Sequence, residues 1–264
     1  MDLKIQGKKA LVTGGASGIG RSIVLGLAAE GVSVAFTSRN LQRGDQLLNE
    51  LGGPDAGHMF LNLDISDNAG PERVLTQLNK KNFHPEILVN NVGDTLGIVD
   101  PECSTNEWQS IYRLNLEVHV ELVNLLLPHM KSKNWGRIVN ITAGAALENS
   151  GPVPYSTMKA AYTAYTRSMA RVLAPTGIVM SAVLPGVVLT EDGHWSKVME
   201  ERPEHAAKYL EERTSLKRFG RPEEITPFVL LLSSELASFA VGSIVPVEGG
   251  QARHFFAGNL EAYA

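Results

Sequence analysis

Short apolar runs alternate along this chain with longer segments whose apolar residues recur every three or four positions. The first apolar run, 9–13, ends abruptly at a glycine-rich turn, and a helical pattern then continues until Gly31. A second apolar run, 32–37, follows directly. Two strands separated by a helix in this way predict a β-α-β unit with parallel strands.

The same alternation continues to the end of the chain. The predicted strands are 9–13, 32–37, 58–63, 87–90, 137–142, 178–184 and 243–247. The later predicted helices are 41–51, 71–80, 107–131, 154–173 and 223–233. This order predicts a doubly wound (Rossmann) α/β fold, with a mostly parallel seven-stranded sheet and helices on both faces, in a single dinucleotide-binding domain that covers 1–264.

Residues 190–218 form the one long interval without a predicted strand. This charged, helix-like interval follows the sixth strand, and open parallel sheets bind ligands beyond the carboxyl ends of their strands. We therefore expect a substrate lid here, and Trp195 is the residue that we expect to contact substrate. The other candidate lid residues are His194, Lys197, Arg202, His205 and Lys208. The mixed charge of this interval also fits a solvated helix.

Composition and charge narrow the class of protein. The 264 residues are 44% hydrophobic, enough for a sizeable core, and the net charge of -4 argues against nucleic acid as the main partner. Cys103 is the only cysteine, so an internal disulfide is excluded. The sequence predicts no metal site, and no segment has the apolar pattern of a signal peptide or a membrane span. We expect a cytoplasmic protein with no membrane partner.

Gly14, Gly18 and Gly20 follow the first strand and open the first helix. Glycines at such a turn let backbone N–H groups approach a pyrophosphate at the positive end of the helix, although a glycine cluster can also be only a turn. The second strand is followed by no acid that would bind a ribose 2′-hydroxyl, whereas Arg39 and the hydroxyl of Ser38 can meet a 2′-phosphate. The pattern favours NADP over NAD as the cofactor.

Tyr155 and Lys159 lie four residues apart and therefore share one face of a helix. We expect the Lys159 ammonium to lower the pKa of the Tyr155 phenol from about 10, which would let it exchange a proton with a carbonyl/alcohol pair. The same spacing also occurs on ordinary helix faces. Pro154 suits the first helical position, which places Tyr155 in the first turn.

Taken together, these motifs resemble the short-chain dehydrogenase/reductase family in its compact single-domain form. The resemblance spans residues 7–250. It rests on Thr13-Gly-Gly-Ala-Ser-Gly-Ile-Gly20, Asn90-Asn-Val-Gly93, Asn115, Tyr155-x-x-x-Lys159, Pro185-Gly186 with Thr190, and Val247-Glu-Gly-Gly250. Each motif alone is weak evidence for the family, and it is their order and spacing that make the resemblance strong.

The resemblance implies a role for each matching residue. Tyr155 would be the general acid/base, and Lys159 would hydrogen-bond the nicotinamide ribose and lower the tyrosine pKa. Asn115 would distort its helix and hold a water of the proton relay, although an asparagine bonded to a neighbouring carbonyl is the simpler alternative. These three residues and Thr142 form the predicted catalytic set.

The predicted cofactor site joins the residues implied by the resemblance to those found from the glycine turn and the second strand. It contains Gly14, Ser17, Gly18, Ile19, Gly20, Ser38, Arg39, Asp64, Ile65, Asn91, Gly93, Tyr155, Lys159, Pro185, Gly186, Val188 and Thr190. The resemblance implies that Asn91 lines the adenosine side and Asp64 contacts the adenine, although either could be a turn or cap residue. Val188 and Thr190 would meet the nicotinamide amide and the phosphates.

The catalytic serine of the family has no certain counterpart. The family places a serine about thirteen residues before the tyrosine, and that count gives Thr142, whereas alignment of the preceding strand puts Ala143 in the serine position. Ser150 is a third source of a hydroxyl. Because side chains alternate along a strand, we expect only one of Thr142 and Ala143 to face the cofactor.

The resemblance implies an NADP(H)-dependent oxidoreductase that transfers hydride between the nicotinamide and a ketone or secondary alcohol. The alternatives are a catalytically degenerate NAD(P)-binding sensor or scaffold, and an epimerase or dehydratase with a tightly held cofactor. The sequence does not predict which small carbonyl compound or alcohol is the substrate.

The resemblance also implies that the protein forms oligomers. Related proteins form tetramers through the tyrosine-bearing helix and the one before it, so we expect a homo-oligomer, a tetramer or a dimer. The small residues that would allow this packing are Ala160, Ala161, Ala164 and Ala170. Aromatic residues in the tail 251–264, such as Phe255 and Phe256, would pack on the same chain or on a neighbouring subunit.

Overall fold

Seven parallel strands form one sheet in the order β3-β2-β1-β4-β5-β6-β7. This computed structural model describes residues 1–148, 151–191 and 193–251. The strands are β1 (Lys9–Val12), β2 (Ser33–Ser38), β3 (Met59–Asn62), β4 (Ile87–Asn90), β5 (Gly136–Ile141), β6 (Ile178–Pro185) and β7 (Ile244–Val247). The predicted doubly wound parallel sheet is confirmed.

Helices cover both faces of this sheet. They are α1 (Gly18–Ala29), α2 (Leu41–Glu50), α3 (Gly70–Lys80), α4 (Thr105–Tyr112), α5 (Val118–Ser132), α6 (Ala145–Glu148), α7 (Val153–Leu173), α8 (His194–Glu201), α9 (Pro203–Arg213) and α10 (Pro222–Leu232). Val12 packs into a core with α1 and α10, while its neighbour Leu11 packs into a second core with α3, α5 and α7. Strands buried on both faces explain the continuous apolar runs of the sequence.

The strand order reverses between β1 and its neighbours. β1 pairs with β2 on one side and with β4 on the other, so the connections that leave these strands diverge. A crevice opens at such a switch point, beyond the carboxyl ends of the strands. This crevice contains the glycine turn and the end of β4.

The predicted helix 107–131 is interrupted, which corrects that prediction. The structure has α4, a π-helical segment (Arg113–Glu117) and then α5. Asn115 lies in the π segment and donates from Nδ2 to the Ile111 carbonyl at 3.0 Å, which is four residues earlier. A side chain that takes this carbonyl competes with the backbone bond, and such wide turns often occur at functional sites.

Helix α7 carries the Tyr-x-x-x-Lys motif. It begins at Val153, one residue before the predicted start, and Tyr155 lies in its first turn as predicted. After α7, a short 3-10 turn (Ala174–Thr176) ends at Gly177, whose φ of 75° lies in the left-handed region. That conformation suits glycine, and a Cβ there would also meet the Asn134 carbonyl oxygen at 2.1 Å.

The interval 190–218 is helical, as expected, and consists mainly of α8 and α9. Its two ends are tied to the body of the protein. Leu189 donates to the Gly220 carbonyl at 2.9 Å, and Leu216 donates to the Gly249 carbonyl at 3.1 Å. The tail 252–264, with Phe255 and Phe256, lies outside the described residues.

The small residues of α7 differ in their exposure. Ala170 was expected to allow packing between subunits, but it is fully buried inside its own chain, so it belongs to the core. Assembly through the other alanines of α7 stays a prediction. Within the described part of the chain, no helix is long and apolar enough to cross a membrane.

Candidate active site

A cleft of about 760 Å³ lies beyond the carboxyl ends of the central strands. All of the predicted cofactor-binding residues line it, together with Thr142. Asn115 is fully buried behind the cleft and does not line it. In the described ranges, no group of three or more His, Cys, Asp and Glu side chains could hold a metal ion.

The glycine turn is fixed by hydrogen bonds from the neighbouring strands. Gly14 N donates to Thr37 Oγ1 at 3.0 Å, and Gly15 N donates to the Thr37 carbonyl at 2.9 Å. Asn91 Nδ2 donates to the carbonyls of Thr13 and Gly14 at 3.0 and 3.3 Å. Asn91 therefore lines the cleft as predicted, and its side chain also stabilises the glycine turn.

The glycines of the turn leave no room for side chains. A Cβ on Gly20 would lie 2.2 Å from the Gly14 carbonyl oxygen. Gly18 has a φ of +52°, and a Cβ there would lie 3.1 Å from Thr190 Cγ2. The turn thus presents bare backbone at the first residues of α1, where unpaired N–H groups attract an anion. This cradle fits the pyrophosphate of a dinucleotide.

Arg39 and Asp64 face each other at the outer end of the cleft. Arg39 Nη1 lies 3.4 Å from Asp64 Oδ2, and the Arg39 side chain is 74% exposed. Partial burial would raise the pKa of Asp64, but hydrogen bonds from the hydroxyl and backbone N–H of Ser66, and the Arg39 guanidinium, lower it overall. Arg39 is therefore a solvent-accessible cation directly after β2, at the position where the sequence predicts contact with a 2′-phosphate.

Tyr155 and Lys159 meet at the inner end of the cleft, below the end of β5. Lys159 Nζ lies 5.6 Å from the centre of the Tyr155 ring and donates to the Ile141 carbonyl at 3.3 Å. Burial lowers the pKa of the Lys159 ammonium to about 8, against the attraction of the Asp94 carboxylate. At neutral pH this lysine is therefore still mostly protonated.

The pKa of the Tyr155 phenol is shifted in the direction opposite to the prediction. Burial and the nearby Asp94 carboxylate raise it above its ordinary value. The prediction considered the cation of Lys159 and left out burial, which disfavours the charged phenolate. Tyr155 is thus held in its protonated form in this structure, ready to donate rather than to accept.

Asn115 supports the loop that follows β4. Its Nδ2 donates to the Asp94 carbonyl at 2.8 Å in addition to the Ile111 carbonyl, and its buried Oδ1 has no partner among the described residues. Gly93 packs between Asn115 and Lys159, because a Cβ on Gly93 would lie 2.9 Å from Asn115 Oδ1 and 2.5 Å from Lys159 Nζ. The helix distortion expected for Asn115 is present. The hydrogen bond to a neighbouring carbonyl, which was the simpler alternative, is present as well.

Thr142 and Ala143 both line the cleft, which corrects the expectation that only one of them faces it. The alternation rule fails because β5 ends at Ile141, so the two residues lie in the turn that leads into α6. The Thr142 hydroxyl is buried and has no hydrogen-bond partner in the described part of the chain. Ser150 lies outside the described residues.

The segment 190–218 contributes aromatic side chains beside the cleft. Trp195 lines the cleft, and its ring centre lies 4.5 Å from that of Tyr209 and 5.3 Å from that of Phe219. His194 also lines the cleft. The remaining candidate lid residues do not line it, and these are Lys197, Arg202, His205 and Lys208. Lys208 lies 3.8 Å from Glu212 on the same helix, as in a solvated helix of mixed charge.

Two polar residues near the site were not predicted. Asp94 directly follows the Asn-Asn-Val-Gly motif and lines the cleft beside Tyr155. His119 is fully buried behind Lys159, donates from Nε2 to the Val92 carbonyl at 2.9 Å and stacks on Tyr162 with ring centres 4.8 Å apart. His119 follows Asn115 by four residues, one helical turn later, and that spacing is the only signal in the sequence that could have found it.

Comparisons with known proteins agree with this geometry. The family model described as short chain dehydrogenase matches residues 8–200. The chain is 36% identical to a 3-oxoacyl-[acyl-carrier-protein] reductase FabG of Aquifex aeolicus, over 95% of this chain and 99% of that protein.

Solved structures give the same result. An L-sorbose reductase from Gluconobacter frateurii complexed with NADPH and L-sorbose superposes with a TM-score of 0.85 at 29% identity, over 95% of this chain and 98% of that one. A 3-oxoacyl (acyl-carrier-protein) reductase from Agrobacterium tumefaciens with NADP bound also gives a TM-score of 0.85, at 26% identity over 94% of this chain and 96% of that one. This chain therefore belongs to the short-chain dehydrogenase family of NAD(P)-dependent oxidoreductases.

Proposed function

We propose that this protein is an NADP-dependent carbonyl reductase in which Tyr155 transfers the proton. The observation that carries the proposal is that the Tyr155 phenol, the buried Lys159 and the bare backbone of the glycine turn lie in one cleft. The named relatives with NADPH or NADP support the same cofactor, but they differ in substrate, so likeness alone does not select one.

The residues present fit a dinucleotide at both ends of the cleft. Gly14, Gly18 and Gly20 leave space for a pyrophosphate against the backbone at the start of α1. Ser38 is the last residue of β2 and Arg39 follows it, with no acid beside them at that strand end, which suits a 2′-phosphate. These residues would hold NADPH, which would supply the hydride to a carbonyl carbon and leave as NADP.

Tyr155 then delivers the proton that completes the reduction. A carbonyl carbon that gains a hydride leaves negative charge on its oxygen, and the phenol O–H of Tyr155 protonates that oxygen to give the alcohol. The charged Lys159 stabilises the phenolate that remains, because the ammonium lies against the same ring. Near neutral pH both groups are protonated, so Tyr155 can donate the proton that reduction requires.

Thr142 is the residue that we assign to the position of the missing serine. Its hydroxyl is buried at the cleft without a partner among the described residues, and an unpaired buried hydroxyl is costly unless something binds to it. A substrate carbonyl oxygen would accept a hydrogen bond from it as charge develops. Ala143, which occupies the serine position by alignment, has no group that could do this.

The test of the proposal separates binding from turnover. Dissociation constants of NADPH and NADH are measured by fluorescence, and cofactor oxidation is followed with a panel that includes a 3-oxoacyl thioester, ketoses and simple ketones. We expect tighter binding of NADPH and its oxidation by at least one carbonyl compound. Tight binding without turnover of any compound would instead indicate a sensor or scaffold, and cofactor that survives purification would indicate an epimerase or dehydratase.

The preference for NADP is tested with Arg39→Ala. Hydrogen bonds to charged groups contribute about 1.5–3 kcal/mol, so the dissociation constant of NADPH should rise roughly tenfold to a hundredfold. The dissociation constant of NADH should stay the same. Arg171→Ala, which removes an exposed arginine from α7 away from the cleft, is the matched control.

A further inference from the structure

Asp94 places a carboxylate in the part of the cleft where the substrate must react. Its main-chain carbonyl accepts a hydrogen bond from Asn115 Nδ2 at 2.8 Å, so the buried amide fixes the backbone at this point. The residue is exposed and lines the cleft together with Tyr155 and Trp195. Its position is therefore set by the same side chain that supports the catalytic end of the cleft.

The Asp94 carboxylate has one oxygen available to a ligand. Oδ1 accepts a hydrogen bond from Leu96 N at 3.2 Å and one from Thr95 Oγ1 at 3.4 Å, which is a local turn. No described residue donates a hydrogen bond to Oδ2 or forms an ion pair with it. A carboxylate oxygen in this state accepts a hydrogen bond from any donor that a substrate brings.

Among the described residues, Asp94 is also the only acid that lines this end of the cleft. Among the described residues that line it, the other carboxylate is Asp64, which lies at the outer end beside Arg39. The groups that face Asp94 are Tyr155 and Lys159 from α7, and both respond to its charge. Its negative field therefore covers the place where a substrate carbonyl must approach the phenol.

We propose that Asp94 determines the substrate class: it selects uncharged ketones that carry hydroxyl groups beside the reacting carbonyl, and it disfavours ketones with a carboxylate at that position. The proposal rests on the proposed function, because it assumes that carbonyl reduction occurs at Tyr155. A hydroxyl donates to Asp94 Oδ2, whereas a carboxylate has no proton to donate and is repelled by a like charge. A ketone without hydroxyl groups gains nothing from Asp94.

Three small ketones separate these cases. Dihydroxyacetone carries a hydroxymethyl group on each side of its carbonyl, hydroxypyruvate replaces one of these groups by a carboxylate, and butanone has neither. Acetoacetyl-CoA represents the 3-oxoacyl thioesters. With NADPH, we expect the wild-type enzyme to show a kcat/KM for dihydroxyacetone at least about tenfold above those for hydroxypyruvate and butanone.

The decisive variant is Asp94→Asn. Its amide oxygen can still accept from Leu96 N, so the turn is kept while the charge is removed. The preference for dihydroxyacetone over hydroxypyruvate should fall about tenfold. Asp100→Asn is the matched control, because Asp100 Oδ1 accepts from Glu102 N at 2.9 Å in a similar exposed turn that does not line the cleft. This control should leave the preference unchanged.

Two outcomes would overturn the role of Asp94 while the proposed function survives. One is an unchanged preference in Asp94→Asn, and the other is a wild-type enzyme that reduces acetoacetyl-CoA or butanone in preference to dihydroxyacetone. If no ketone is reduced at all, the proposed function fails, and calorimetric binding of dihydroxyacetone and hydroxypyruvate to the NADP-bound protein then decides the role of Asp94. Equal affinities in that measurement would reject it.

Discussion

The substitution His119→Phe tests how burial shapes the electrostatics behind the active site. His119 is fully buried, and its pKa is lowered from 6.5 to about 3. Burial is the larger cause, and the nearby positive charge of Lys159 adds to it. The Val92 carbonyl can only accept, so Nε2 carries the proton and the imidazole is neutral. The unfolded chain, by contrast, protonates this residue at its ordinary pKa.

The consequence is a loss of stability as the pH falls. Because the pKa is lower in the folded state, the unfolded state binds more protons at pH values between 6.5 and about 3. His119 therefore lowers the free energy of unfolding by about 1.4 kcal/mol for each pH unit in this interval, and by about 2 kcal/mol between pH 7 and pH 5. Above pH 6.5 the histidine imposes no such cost.

His119→Phe removes this titration and keeps an aromatic ring against Tyr162. At pH 7 the variant should be less stable by about 1–3 kcal/mol, because the Val92 carbonyl loses its donor. Between pH 7 and pH 5 it should lose about 2 kcal/mol less than the wild type. Urea denaturation followed by circular dichroism at several pH values measures both effects.

The matched control for this experiment is His205→Gln, which removes an exposed histidine from α9. It should leave the pH dependence of the wild type unchanged. If His119→Phe and the wild type lost stability in parallel from pH 7 to pH 5, the assignment of a buried neutral imidazole would be refuted.

Three further predictions concern activity. Gly93→Ala should lower kcat about 10²-fold in a folded enzyme, because the added Cβ would displace Lys159 Nζ. A crystal structure of this variant with Lys159 in its original position would contradict the prediction. Thr142→Val should lower kcat about 10²–10³-fold, and adding Ala143→Ser to that variant should restore part of the activity. A Thr142→Val variant with the wild-type kcat would show that the Thr142 hydroxyl does not donate to the substrate. The rate of reduction should fall as the pH rises through about 8, where Lys159 loses its proton, and a rate that stayed flat to pH 10 would argue against that assignment.

Much of the fold could be predicted because its signals are local. Strands buried on both faces appear as unbroken apolar runs, and the glycine turn and Gly177 mark positions where the backbone excludes side chains. The residues of the predicted cofactor site all line one cleft, because the carboxyl ends of parallel strands meet at one edge of the sheet.

The features that could not be predicted depend on the tertiary structure. The π segment forms because Asn115 bonds both to its own helix and to the Asp94 carbonyl, which is distant in sequence. The pKa of Tyr155 rises because of burial, which helical spacing does not reveal. His119 and Asp94 each appear in the sequence as one more polar residue, and only their neighbours in space give them a role.

The most direct test of the central claim compares Tyr155→Phe with Tyr165→Phe. Tyr165 lies on the same helix and outside the cleft, and its phenol has no hydrogen-bond partner in the described residues. NADPH affinity and the rate of NADPH oxidation are measured for both variants with a ketone that the wild type reduces. We predict that Tyr155→Phe binds NADPH normally and turns over about 10²–10⁴-fold more slowly, while Tyr165→Phe keeps the wild-type rate. A Tyr155→Phe enzyme that reduces the ketone at the wild-type rate would contradict the account.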